Sequence, residues 1–213
     1  MSFDRLAPHY RWMEAVLAGR KLQRCRVAWL GEVRDCRRVL IAGVGLGRFL
    51  ESALRGMRGA EFVCVDASAA MLARARASAQ RTGEDARVSF VHASLPEWKP
   101  ERADCDLIVT HFFLDCFPEP QLSQVVARLA SAATPDARWL LADFQIPPRG
   151  AARLRARLVL ALAYAFFRVT TRLAANRLAA PDDALVRNGF RLQRRMTANW
   201  NLLHSDVWAR SGG

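Results

Sequence analysis

The chain has 213 residues, 52% of them hydrophobic and 24% charged, which suits one α/β domain with a full core and is short for two. No run of about 18 uncharged apolar residues argues for a spanning helix, no apolar stretch near Met1 resembles a secretory signal, and no C-x-x-C or H-x-x-x-H cluster points to a metal. The formal net charge of +12 is almost wholly arginine, since Lys21 and Lys99 are the only lysines. That excess fits a coding bias replacing Lys with Arg, or contact with an anionic lipid surface, an acidic substrate or nucleic acid. Five cysteines without paired spacing predict reduced thiols, as in a cytoplasmic protein.

Residues 1–35 read as helical cover, with Trp12, Ala15 and Val16, then Leu22, Cys25, Arg26 and Trp29, near helical spacing. A cofactor-binding core follows over 36–145. Its first strand, Val39-Leu40-Ile41-Ala42, runs into Gly43, Gly45 and Gly47, and Phe49, Leu50, Ala53 and Leu54 then mark a helix. Strand, glycine turn and helix N-terminus form the nucleotide corner of a doubly wound fold. The second strand, Phe62-Val63-Cys64-Val65-Asp66, ends in an acid 19 residues after Gly47, where a carboxylate meets ribose hydroxyls. Because Arg48 breaks the G-x-G-x-x-G register, a dinucleotide is disfavoured against another adenosine-type cofactor.

Residues 68–81 predict a surface helix, Thr82 to Asp85 a turn, and Val88 to Val91 the third strand. The fourth strand follows Cys105-Asp106 and places His111 at a carboxyl end, hence at the mouth of the site. His111 is a candidate general base or a structural histidine, and Asp115 either orients it or caps the following turn. Leu122, Val125, Val126, Leu129, Ala130 and Ala133 give a packing helix, and Arg138 to Gln145 the fifth strand. A helical insertion then spans 147–180. Arg153, Arg155 and Arg157 precede Leu158 to Phe167, apolar on every face, and Arg168 and Arg172 follow. Ten apolar residues are too few to cross a membrane, so the segment reads as a lid, a homodimer contact, or a basic helix lying on an anionic membrane. A final strand pair over 188–210 begins at Asn188-Gly189, with Trp200, Leu202, His204, Asp206 and Trp208 on one face. His204 is a lesser site candidate.

Val39 to Gly47, with Val65-Asp66-Ala67-Ser68-Ala69-Ala70-Met71-Leu72, resembles the class I S-adenosylmethionine-dependent methyltransferases. Phe3-Asp4-Arg5-Leu6-Ala7-Pro8-His9-Tyr10 is similar to the opening of their small-molecule branch, which includes the ubiquinone and menaquinone C-methyltransferases. The resemblance runs from about Phe3 to Trp208 and implies a single Rossmann-like domain. Its sheet would be seven-stranded and mostly parallel, with helices on both faces and an antiparallel C-terminal strand pair. It further implies that Gly43, Gly45 and Gly47 pass under the methionine part of S-adenosylmethionine and Asp66 holds the ribose. Ala67, Met71, Ala93 and Ser94 would surround the adenine, while Tyr10, or Arg20, reaches the carboxylate. Two positions depart from the family: Ile41 stands where an acid usually does, and Ser94 where an Asp is common.

The expected activity is methyl transfer, to oxygen or carbon, onto a small apolar or aromatic acceptor such as a quinone or lipid, in a cytoplasmic protein free or peripheral at the inner membrane face. An RNA or DNA methyltransferase is the first alternative, weakened because no Asn-Pro-Pro-Tyr follows the fourth strand. A catalytically silent cofactor-binding partner protein is the second, and a nicotinamide oxidoreductase the third.

Overall fold

The computed structural model describes residues 20–171 and 178–210, the side chains of 162–171 excepted. The Phe3–Tyr10 segment, Tyr10 included, lies outside the described residues. In chain order the elements are α1 (Arg20–Val27), β1 (Arg38–Ala42), α2 (Arg48–Gly56), β2 (Glu61–Asp66), α3 (Ala69–Gln80), β3 (Val88–His92) and β4 (Cys105–His111). Then come α4 (Glu119–Ala130), β5 (Ala133–Phe144), α5 (Gly150–Thr171), α6 (Asp182–Arg187), β6 (Phe190–Ala198) and β7 (Leu203–Arg210). One seven-stranded sheet has the order β3-β2-β1-β4-β5-β7-β6. β1 to β5 pair in parallel, and β7 runs antiparallel to both β5 and β6. This is the architecture the sequence predicts.

The apolar runs are continuous because both faces of the sheet are covered. From β1, Leu40 and Ala42 enter a core shared with α4 and α6. Val39 and Ile41 point the other way, into a core with α2 and α3. The stripe Leu122, Val125, Val126, Leu129 and Ala130 of α4 is fully inside. Ala133, predicted to close that stripe, instead opens β5, which pairs with β4 at Cys105 and then skips to Leu107–Arg138 across an irregularity. The fifth strand therefore starts well ahead of Arg138.

A third, smaller cluster sits over the carboxyl end of β5 and the amino end of β7. There Ala156 and Leu160 of α5 meet Leu22 and Cys25 of α1, with Ala142, Leu202 and Leu203 beneath. In the first turns of the insertion Leu154 and Leu158 are exposed, while Ala156 and Leu160 are buried. Trp200 departs from the sequence reading. Rather than starting the last strand it sits in a turn with Asn199 and Asn201, all three at positive φ (55°, 60° and 58°), and it is 68% exposed.

β7 carries a buried charge cluster. Asp206, fully buried, accepts hydrogen bonds from Arg195 Nε (2.8 Å) and Nη2 (2.7 Å), from His204 Nδ1 (3.0 Å) and from Trp208 Nε1 (3.4 Å). Burial alone would raise the Asp206 pKa, but the His204 and Arg195 hydrogen bonds outweigh it and hold the carboxyl below its ordinary range. His204 is thereby a structural histidine. Asp206→Ala strands His204 and leaves Arg195 to its second partner, Asp182 at 2.8 Å, and should cost about 3 kcal/mol in urea denaturation at neutral pH. Because the folded pKa of Asp206 is lowered, this stability is present above the unfolded value of 3.8 and is lost as pH falls through the folded one. The gap between wild type and variant should accordingly narrow only below about pH 4.

Candidate active site

The turn leaving β1 is built on Gly43, Gly45 and Gly47, at φ 71°, 54° and 73°. A Cβ on Gly43 would collide with the Phe113 ring, and one on Gly47 would come within 2.9 Å of the Ala75 backbone in α3. A Cβ on Gly45 would meet nothing within 4 Å, so this glycine faces open space. Gly43 N donates to Val65 O at 2.9 Å, which seats the turn against the end of β2.

Asp66 completes that seat. Its Oδ2 accepts from Gly45 N at 3.2 Å and its Oδ1 from Ser68 N at 2.9 Å. Burial raises the Asp66 pKa, and the two amides pull against that rise. Ser68 in turn caps α3 by accepting from Met71 N at 3.2 Å. Met71 is buried and Ala67 partly exposed beside Asp66. At the end of β3, Ala93 N donates to Asp66 O at 3.1 Å, and the neighbouring Ser94 is exposed.

The end of β4 faces the glycine turn. The His111 ring packs edge-on to Phe49, centroids 4.7 Å apart, and its Nδ1 is buried with no partner among the described residues. Burial, then the charge of Arg26, pushes the His111 pKa down to about 3. Arg26 itself is 7% exposed and lies over the Phe112 ring at 5.0 Å. Arg26, Ile41, Phe49, His111 and Phe112 share one cleft with the glycine turn. Arg20 is exposed at the start of α1, so the cation that α1 brings to the cleft is Arg26.

Asp115 lies in the helical turn Leu114–Cys116 after β4. Its Oδ1 accepts from the Cys116 thiol at 3.6 Å, and its backbone N donates to Asp143 Oδ2 at 3.2 Å. Burial pushes Asp115 up to about 6. Burial and then the Asp115 charge push Asp143 well above the ordinary carboxylate range. Asp143 shares the face of Trp139 and Leu141, while His111 projects toward Phe49 on the other.

Arg26 and Asp143 were the two polar groups the sequence reading passed over. Each had a signal: a cation at a position that helical spacing assigns to the packed side of α1, and an acid in phase with Trp139 and Leu141.

Residues 39–136 match the sequence profile of a family described as a methyltransferase domain. No curated protein matches the chain. Among solved structures, mitomycin 7-O-methyltransferase superposes with TM-score 0.74 at 19% identity, over 99% of this chain and 61% of that one. An O-methyltransferase family protein from Burkholderia thailandensis gives 0.69 at 18%, over 95% and 59%. Magnesium protoporphyrin IX methyltransferase from Synechocystis, with bound S-adenosylhomocysteine, gives 0.65 at 20%, over 89% and 83%. The chain thus spans about three fifths of the length of the first two. At these identities the likeness is one of fold. The family match covers a little under half of the chain, and what the solved structures share with it is the seven-stranded fold.

The glycine geometry separates two substitutions. Gly43→Ala adds backbone strain and drives a methyl into Phe113, for a loss of about 3 kcal/mol. Gly45→Ala adds strain alone, about 1 kcal/mol. Urea denaturation of the pair checks this, and equal losses would mean that Phe113 does not brace the turn.

Proposed function

We propose that this chain, whose residues 39–136 match a family described as a methyltransferase domain, moves a methyl group from S-adenosylmethionine to a hydroxyl of a small apolar or aromatic acceptor. The observation that carries the reading is the glycine turn strapped to Asp66 at the mouth of an aromatic cleft. When bound, S-adenosylmethionine supplies an electrophilic methyl on a cationic sulfur.

The residues present suit that group. Gly45 faces open space where a ligand lies against bare peptide, and Asp66 keeps acceptor capacity on both oxygens for the ribose diol. Ala67, Met71, Ala93 and Ser94 border the adenine position, Ser94 by its amide. Arg26 holds the methionine carboxylate, and Tyr10 joins it from the segment outside the described residues. Ile41, on the same cleft as Arg26, stands where an acid is expected near the amino group.

For the chain's own residues two tasks remain, alignment and removal of a proton. His111, neutral because burial and Arg26 depress its pKa, hydrogen-bonds the acceptor hydroxyl through Nδ1 without placing a second cation beside the sulfonium. Asp115, its pKa raised by burial beside Asp143, is the acid after β4 assigned to take the proton. The O-methyltransferase neighbours support oxygen over carbon as the acceptor atom. The aromatic walls Phe49 and Phe112 support a planar or greasy acceptor, of which a quinol is one.

Calorimetric titration with S-adenosylhomocysteine tests the cofactor. Micromolar binding, at least tenfold weaker in Asp66→Ala and absent with NAD, is expected, whereas no heat would remove the reading. A silent cofactor-binding protein is the second reading, favoured by Ile41, and it predicts binding with no label passing from methyl-labelled cofactor to any extract.

Asp115→Asn yields a prediction of its own. A raised folded pKa means that the proton-bound state favours folding, so stability is present below 3.8 and lost as pH rises through about 6. Asp115→Asn should therefore raise the melting temperature at pH 8 more than at pH 5, and remove the limb of kcat/KM that rises through pH 6. Activity unchanged in the variant would hand the proton to another group.

A further inference from the structure

We infer that the face of α5 bearing Leu154 and Leu158 docks on an anionic lipid bilayer. The two leucines are 74% and 61% exposed and lie four residues apart, on one stripe of the helix. The opposite side of the same turns is buried through Ala156 and Leu160. The exposed stripe is therefore not a continuation of the core.

Arginines border the stripe on both sides. Arg153 and Arg157 lie along one edge, both exposed. Arg155 lies along the other, where its guanidinium sits 5.9 Å from the ring of exposed Trp200. The turn carrying Trp200 is held to the same edge. Arg155 donates to Asn199 O at 3.3 Å, and Lys21 Nζ donates to Asn199 Oδ1 at 3.1 Å. An apolar strip, a tryptophan and a double row of cations together match the water–lipid boundary, where leucines enter the acyl region and guanidinium groups meet phosphates.

Charge decides among occupants. Between Pro147 and Ala180 the sequence has seven arginines, no lysine and no acid. A two-fold contact with a second copy through this stripe would set Arg153, Arg155 and Arg157 against the same cations. A nucleic acid would satisfy the arginines but leave Leu154 and Leu158 in water. Only an anionic bilayer satisfies both. No helix among the described residues is long and apolar enough to cross a membrane, so the contact is one of lying on the surface. It is independent of the methyltransferase reading.

Co-sedimentation of the full chain with vesicles is the test, using phosphatidylcholine alone and phosphatidylcholine containing a quarter phosphatidylglycerol, at low and high salt. Two double variants accompany it, Leu154→Gln/Leu158→Gln and Arg153→Gln/Arg157→Gln, all at exposed positions, with circular dichroism melts to confirm folding. Expected are binding to the anionic vesicles at low salt and at least tenfold weaker partition in each double variant. The inference is overturned if the chain ignores anionic vesicles, or if it binds neutral ones equally. It falls too if the leucine variant binds as well as wild type, which would be adsorption by charge alone. A wild-type dimer that the leucine variant dissolves would assign the face to a second copy instead.

Discussion

The carboxylate of Asp66 is the tie on which the candidate site depends. Its two oxygens take amides from two different loops, Gly45 on the turn after β1 and Ser68 at the cap of α3. The backbone of the same residue accepts from Ala93 beyond β3. Three strand ends are thereby held in register by one residue, and the open side of Gly45 is fixed relative to the acid rather than left to a mobile loop. The cost is a carboxyl whose burial raises its pKa, tolerated because the amides favour its charged form. Such a site is organised before any ligand arrives, and that arrangement limits the ordering entropy lost on binding.

Buried charge receives two opposite treatments within a short distance along β5 and β7. Asp206 is answered completely by Arg195, His204 and Trp208, and it acts as structure. Asp115 and Asp143 are set beside each other, with amides and a thiol around them, and burial drives both toward the protonated form. His111 is the third case, a base held neutral by burial and a neighbouring arginine. The satisfied group lies away from the glycine turn, and His111 lies at it. Strain of this kind concentrates where function needs it, because a group already stabilised has little to gain from a substrate.

Much of the fold was legible because both-face burial leaves a plain mark. Val39 to Ala42 and the run following Asp106 read as strands, since neither face of either strand needs polar residues. The stripe of α4 was equally plain, apart from Ala133, whose apolar side chain suits a strand start as well as a helix end. Asp66 and the three glycines were readable from spacing. Arg26 was not, because helical periodicity says which face is packed and not what a cation there is packed against. Trp200 misled for a related reason. Alternation with Leu202 and His204 continues through a turn whose left-handed residues carry no glycine to announce it. The sequence left open what the helix α5 packs against, because an apolar run bordered by arginines suits a lid, a dimer contact and a membrane-surface helix alike.

The position of β7 has a consequence for how the chain comes off the ribosome. This strand enters the sheet between β5 and β6, so β5 keeps an unpaired edge until residues well beyond its own have been made. That edge carries Trp139-Leu140-Leu141-Ala142, an apolar template open to other chains during the interval. The hairpin of β6 and β7 forms through local contacts and can add to the edge as one unit. Vectorial synthesis therefore divides the molecule into an early half that builds the cofactor corner and a late hairpin that seals it. Chaperone demand should concentrate in the gap between them.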